Sequence, residues 1–127
     1  MQIESILRSI LVADPAVAAL VSGRIYQMAL PREPTFPAIT YQMVSRVQDS
    51  LTGIVQARVQ YTCLAMTWKG AADLADAVRC GLHGYRGVRD GARIEEIQYA
   101  GQHDDHDETT GIYWIPVDMI VTFLEET

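Results

Sequence analysis

Two long stretches of the chain place an apolar residue at every second position, and no other feature of the sequence constrains the fold as strongly. Successive side chains of a β-strand point to opposite faces, so each stretch predicts a strand that buries one face. We therefore expect a β-sheet that has one face covered by other parts of the chain. The apolar positions are Val55, Ala57, Val59, Tyr61 and Cys63 in the first stretch, and Tyr113, Ile115, Val117, Met119, Val121 and Phe123 in the second.

Residues 39–47 and 93–100 predict two further strands. The first is separated from the strand at 54–66 by the polar segment 48–53, which predicts an antiparallel hairpin. In 93–100, the adjacent Glu95 and Glu96 interrupt the alternation and indicate a bulge or an exposed edge.

Helical periodicity predicts three helical segments: the first dozen residues, Pro15–Val21 and Lys69–Tyr85. Asp14 before Pro15 marks a helix start, because an aspartate accepts an unpaired backbone N–H and proline lacks the N–H that would have no partner. The second segment should end at Gly23. The apolar stripe of the third consists of Ala71, Leu74, Ala75, Val78 and Leu82.

Prolines limit where strands and helices can lie. Pro31, Pro34 and Pro37 exclude a helix interior or a central strand from their segment and predict an extended connector. Pro116 falls within the last predicted strand and cannot donate to a β-ladder. We therefore expect it at a sheet edge or beside a local distortion.

Composition narrows the functional class. The 127 residues are 49% hydrophobic and 20% charged, which excludes intrinsic disorder. A formal net charge of −6 disfavours tight nucleic-acid binding, which needs a cationic surface. The N-terminal segment lacks the pattern of a signal peptide or membrane span. The two cysteines have no disulfide-scaffold or zinc-site spacing, so a reducing compartment is expected.

The segment from His103 to Thr109 is the densest cluster of potential metal ligands. His103, Asp105, His106 and Asp107 are ligand types that zinc, manganese or nickel accept. The segment lacks calcium-loop spacing and runs into the turn-like sequence Thr109–Gly111. We expect a solvated loop without a metal, and the alternative is a divalent-ion site.

No other residues form a recognisable catalytic or nucleotide-binding set. Cys63 and Cys80 are expected to be buried or half-buried apolar side chains. His83 should interact with a helix dipole, and Trp68 and Trp114 should pack or anchor an interface. The sequence therefore favours an interaction protein without catalytic activity or cofactor.

Several segments in order resemble the tail-completion, or tail-terminator, proteins of long-tailed bacteriophages and of phage-like gene transfer agents. The resemblance covers nearly the whole chain, and the D-P-A-V-A-A-L-V-x-G-R-I-Y run and the E-T-x-G-[IL]-Y turn are its most recognisable parts. The segments are DPAVAALVSGRIY (Asp14–Tyr26), FPAITYQMVS (Phe36–Ser45), IVQARVQYTCLA (Ile54–Ala65), AADLADAVRCGLHGYRG (Ala71–Gly87) and ETTGIYWIPVDMIVTF (Glu108–Phe123).

The resemblance implies a single α+β domain over residues 1–127, with a mostly antiparallel four-stranded sheet and helices packed on one face. Such subunits form a ring, typically a hexamer, at the head-proximal end of the tail tube. The ring stops tube polymerisation and joins the tail to the head connector.

The partners implied are further copies of the chain, the major tail tube protein and the connector or stopper protein. DNA would pass through the lumen without specific binding, and no membrane or cofactor is implied. The location is the tail–neck junction of the virion, after assembly in the host cytoplasm. Negative charge agrees with a channel for DNA, and it agrees equally well with a role in solubility.

The candidate interface is the hairpin tip, which we expect to act as an arm that reaches an adjacent subunit or the neighbouring ring of the neck. A free hairpin loop is the alternative. Three alternative functions remain: a stopper component of the neck, a metal-binding α+β domain, and a monomeric ferredoxin-like regulatory domain. The tip consists of Gln48, Asp49, Ser50, Leu51, Thr52 and Gly53.

Overall fold

A computed structural model describes residues 2–125 of the chain. Within these residues, no helix is long and apolar enough to cross a membrane. The elements are, in chain order, α1 (Ile3–Ala13), α2 (Pro15–Val21), β1 (Ile25–Gln27), β2 (Ala38–Gln48), β3 (Val55–Ala65), α3 (Trp68–Leu82), β4 (Gly87–Arg89), β5 (Ala92–Gln102), β6 (Asp105–His106) and β7 (Tyr113–Glu125).

The sheet contains seven strands in the order β1-β2-β3-β7-β5-β4, and β6 pairs with the start of β7. Every pair is antiparallel except β1 with β2, which is parallel. The predicted α+β class and its four strands are confirmed, and these strands form the centre of the sheet. The prediction of a four-stranded sheet is wrong, because β1, β4 and β6 are only two or three residues long and too short to show a period.

The helices cover one face of the sheet, as predicted. Helix α3 packs on β3, β5 and β7, and α1 contacts β2. The odd-numbered residues of β3 are buried beneath them, while Gln56 on the opposite face is exposed. The residues predicted for the core are all fully buried, namely Leu74, Val78, Val59, Tyr61, Val117 and Met119.

The start of α2 follows from a side-chain cap. The Asp14 carboxylate accepts hydrogen bonds from the backbone N–H of Ala16 and Val17, so α2 begins where predicted. A Cβ at Gly81 would lie 2.7 Å from Asp14 Oδ2, which means that glycine lets α3 pass close to this cap. Helix α2 has the predicted bounds Pro15–Val21, whereas α3 ends at Leu82, three residues before the predicted Tyr85.

Pro116 lies in β7 at a gap in the ladder. Gln102 of β5 pairs with Val117, and Asp105 of β6 pairs with Trp114, so no residue of β5 or β6 pairs with Pro116 on that side. The N–H that proline lacks is therefore not needed for pairing with β5 or β6. Of the two predicted settings, the local distortion is confirmed and the sheet edge is wrong, because β7 lies between β3 and β5.

The bulge predicted from the adjacent glutamates is also confirmed. The β5–β7 register shifts between Ile94 and Glu96, and it shifts again between Tyr99 and Gly101. A bulge adds one residue to one strand and lets both faces keep their pattern on either side of it. Consequently Ile94 and Ile97 are both buried although they lie three positions apart.

The buried face of β3 provides a direct test of this packing. Val59 pairs with Met43 of β2 and Met119 of β7 and is fully buried. Replacing Val59 with alanine should lower the free energy of unfolding by about 1–3 kcal/mol through lost burial and a residual cavity. Urea unfolding measures this, and an unchanged midpoint would contradict the assignment of the strand face.

Candidate functional site

The predicted interface residues form the end of β2 and the turn into β3. Strand β7 pairs with β3 along its whole length, from Val55 to Ala65, so only the turn extends beyond the paired strands. The two strands of the hairpin are about as long as predicted, and the tip is the part that lies beyond the paired strands. Every residue from Val44 to Thr52 is nevertheless exposed, including positions of β2 on both faces.

A set of internal hydrogen bonds holds this turn in one conformation. Asp49 Oδ1 accepts from the backbone N–H of Leu51 at 2.8 Å and of Thr52 at 3.3 Å. The N–H of Asp49 donates to the Ile54 carbonyl at 2.9 Å, and the N–H of Gly53 donates to the Asp49 carbonyl at 2.8 Å. The hydrogen bond from Leu51 and then that from Thr52 keep the pKa of Asp49 below its usual value, so the acceptor stays ionised.

Apolar side chains are exposed on the tip and beside it. Leu51 is 95% exposed and Val47 is 68% exposed, and Val44 and Ile54 are exposed beside them. A shallow groove of about 480 Å³ runs along the tip and is lined by Val47, Asp49, Thr52, Ile54, Gln56 and Thr122. The polar residues Gln48, Asp49, Ser50 and Thr52 are exposed, as expected for a polar tip, and Leu51 adds an apolar side chain to the same surface.

The same turn occurs a second time, between β6 and β7. The N–H of Asp107 donates to the Ile112 carbonyl at 2.9 Å, and the N–H of Gly111 donates to the Asp107 carbonyl at 2.7 Å. Asp107 Oδ1 accepts from the N–H of Thr109 at 3.0 Å. The two sequences, DSLTGI at 49–54 and DETTGI at 107–112, share the pattern D-x-x-T-G-I. This short repeat is the signal that the sequence analysis missed.

The predicted metal-ligand segment lies around β6 and is exposed. Its side chains have other partners: His106 stacks on Tyr113 with ring centroids 4.1 Å apart, and Asp104 accepts from Trp68 Nε1 at 3.1 Å. Asp107 is engaged in its turn, where the Thr110 hydroxyl and then the Thr109 N–H lower its pKa. Within residues 2–125, no group of three or more His, Cys, Asp or Glu side chains could hold a metal ion.

Chelation tests whether a metal contributes to folding. A structural metal site needs a closed set of ligands, and the exposed segment around β6 does not provide one. We therefore expect EDTA to leave the melting temperature unchanged. Stoichiometric zinc or manganese in protein purified without added metal would contradict this expectation.

A second shallow pocket, of about 380 Å³, lies at the end of the sheet opposite the hairpin tip. Trp68 at its edge is 53% exposed, and Met66 beside it in sequence is equally exposed. The pocket is lined by Trp68, Asp104, Asp105, His106, Glu108 and Tyr113. Trp68 is thus available to anchor an interface, whereas Trp114 is partly buried.

The cysteines differ in their surroundings. Cys63 is buried as predicted, and burial raises the pKa of its thiol, which makes it a poor nucleophile. Cys80 is exposed, which corrects the expectation of a buried or half-buried side chain, because it lies outside the buried stripe of α3.

His83 caps α3, and its Nδ1 accepts a hydrogen bond from the backbone N–H of Tyr99 at 3.1 Å, which connects the end of the helix to β5.

Comparison with known proteins gives one family and one fold. The sequence model of a family described as "Tail completion protein gp17" matches residues 6–123. Fifteen chains of known structure match. One belongs to a structure entitled "Virion of native gene transfer agent (GTA) particle", with a TM-score of 0.76, 18% identity, and coverage of 92% of this chain and 90% of that chain. This likeness shows a shared fold. Curated proteins give no match.

Proposed function

The chain belongs to the family of the tail completion protein gp17, and from this premise we propose that it is a structural subunit of the tail of a phage or phage-like particle. The match over residues 6–123 carries the proposal, and it confirms the resemblance found in the sequence. The fold shared with a chain of a gene transfer agent virion supports it. In this proposal the whole chain, 1–127, acts as one domain.

The proposed position is the head-proximal end of the tail tube. There the subunits form a ring, a hexamer in our proposal, which ends tube polymerisation and joins the tail to the head connector. The partners are further copies of the chain, the tail tube protein and the connector or stopper protein. The ring would be assembled in the host cytoplasm and then remain at the tail–neck junction of the virion.

A structural role rather than a catalytic one is supported by how the polar side chains are used. Asp14, Asp49 and Asp107 cap a helix or close turns, and Asp104 holds Trp68. Of these carboxylates, Asp49 lines the groove at the tip and Asp104 lines the second pocket, and both are already hydrogen-bonded. The net charge of −6 supports a lumen through which DNA passes without binding, because like charges repel the phosphate backbone.

We assign the contact with neighbouring subunits or the neck to the hairpin tip, Gln48–Gly53. It combines an ordered backbone with the exposed apolar side chain of Leu51, and rigid loops of this kind lose little entropy on binding.

Gene deletion in particle-producing cells tests the proposed function. Without a terminator, we expect tubes of irregular length together with heads and tails that fail to join, and the wild-type gene should restore both properties. Electron microscopy measures tail length and joining separately. Tails of normal length that remain unjoined would instead indicate a stopper, and normal particles would contradict a role in tail completion.

A further inference from the structure

We propose that Leu51 at the hairpin tip of one copy inserts into the Trp68 pocket of the next copy, so that the subunits join head to tail. The proposal deepens the ring described above and rests on it. The Trp68 pocket is the second shallow pocket, lined by Trp68, Asp104, Asp105, His106, Glu108 and Tyr113. The apolar tip consists of Val44, Val47, Leu51 and Ile54.

The turn itself does not require a leucine at position 51. Its counterpart has Thr109 at the equivalent place and makes the same backbone hydrogen bonds, with Gly53 and Gly111 at φ of 76° and 77°. A side chain that is 95% exposed makes almost no contact within its own subunit. Contacts within the subunit therefore do not explain an apolar residue at this position, whereas contact with a partner protein explains it.

The turn also presents Leu51 in a fixed position. Besides the hydrogen bonds of Asp49, the Thr52 hydroxyl accepts from the N–H of Ile54 at 3.3 Å, and Gln48 Nε2 donates to the Gly53 carbonyl at 3.3 Å. An apolar side chain on an ordered loop loses little conformational freedom on binding, which is a property of anchor residues in interfaces.

The Trp68 pocket offers aromatic walls that are equally ordered. Asp104 accepts the indole N–H at 3.1 Å and holds the Trp68 ring, while His106 stacked on Tyr113 forms another wall. The carboxylates lie around these rings. A leucine side chain can bury its methyl groups against aromatic faces and leave the acidic groups in water.

The two sites lie at opposite ends of the sheet. The tip follows β2, and Trp68 follows the far end of β3, whose eleven residues span about 35 Å at about 3.3 Å each. A contact between two different patches is heterologous, and repeating it generates a ring when the rotation closes. Contact between two tips would instead give a two-fold dimer.

The size of the exposed apolar surface favours a closed ring of copies over an isolated dimer. The apolar tip exposes on the order of 400 Å², whereas a stable interface buries about 800 Å² on each partner. One tip–pocket contact is therefore too small to hold a dimer. A subunit in a closed ring uses both its tip and its pocket, so we expect monomers and complete rings without a populated dimer.

Replacing Leu51 with threonine tests the anchor and gives both turns the same residue at this position. Loss of the anchor should reduce the yield of joined particles on the order of tenfold, with a melting temperature within about 2 °C of the wild type. The matched control is Val12→Thr, an exposed apolar position on α1, which should leave the yield unchanged. Wild-type yield from the Leu51 variant would overturn the proposal.

Disulfide cross-linking tests the head-to-tail arrangement in assembled particles. In a Cys80→Ser background that keeps Leu51 and Trp68, subunits carrying Ser50→Cys beside the anchor and subunits carrying Glu108→Cys at the pocket should cross-link when they are co-expressed. Neither variant should cross-link alone. Cross-linking of Ser50→Cys alone would overturn the proposal in favour of a tip–tip contact, and the absence of any cross-link would also overturn it.

These outcomes are separate from a failure of the proposed function. If gene deletion abolishes tail completion while the Leu51 variants behave as the wild type, only the tip–pocket contact is refuted. If gene deletion leaves the particles normal, the ring itself is refuted and the contact with it.

Discussion

Replacing Phe123 with alanine should lower the free energy of unfolding by about 3–5 kcal/mol, the range observed for large aromatic residues in cores. Phe123 is fully buried on β7, where it pairs with Val55 of β3 and Ile94 of β5. The Arg46 guanidinium lies 5.3 Å from the centre of its ring and adds a cation–π contact. Since domains are stable by only about 5–15 kcal/mol, this single change removes a large share of the total.

Urea unfolding measures the effect as a lower midpoint at an unchanged slope. Tyr61→Phe is the matched control on the neighbouring strand, because the buried Tyr61 hydroxyl has no hydrogen-bond partner among residues 2–125. Removing a hydroxyl without a partner avoids the cost of keeping it from water, so the control should be at least as stable as the wild type. An alanine variant as stable as the wild type would contradict the burial of Phe123.

The long strands could be predicted from the sequence because each repeats its pattern over many residues. The odd positions are buried throughout β3 and from Ile115 to Phe123 in β7, so the face and the core residues follow directly. Strands β1, β4 and β6 carry no such pattern at two or three residues. They exist because neighbouring edges supply hydrogen bonds, and this depends on contacts distant in sequence.

Exposure at the tip could not be predicted in the same way. A loop of mostly polar residues suggests a polar surface, but the hydrogen bonds of the turn consume the carboxylate of Asp49 and the hydroxyl of Thr52. The Leu51 side chain takes no part in these hydrogen bonds and is 95% exposed. Comparison of DSLTGI with DETTGI would have indicated the shared turn from the sequence alone, since aspartate, threonine and glycine serve the same bonds in both.

The segment around β6 shows that potential ligands close together in sequence need not form a metal site. Two histidines and four acidic residues within seven positions resemble a metal site, yet ligation needs side chains that converge on one point. In the structure, His106 stacks on Tyr113 and Asp107 closes a turn. These residues are of the right type to bind a metal, but their side chains do not converge on one point.

Replacing residues 48–53 with a short Gly-containing turn should abolish tail completion while leaving the subunit folded. The removed residues are exposed or half-buried, and the core strands on either side keep their partners in β7. A Gly-containing turn that keeps Val47 opposite Gln56 preserves the register, so β2 and β3 should still pair. We expect heads and tails that fail to join, or tails of irregular length, counted by electron microscopy in a complementation assay.

A second variant separates the contribution of the backbone from that of the side chains. Ser50→Glu combined with Leu51→Thr converts DSLTGI into DETTGI, the sequence of the other turn, and keeps its hydrogen bonds. If the tip acts through Leu51, this variant should fail as the short turn does. If it completes tails while the short turn fails, the contact runs through the backbone of the turn. Normal joined particles from both variants would show that the tip makes no contact needed for assembly.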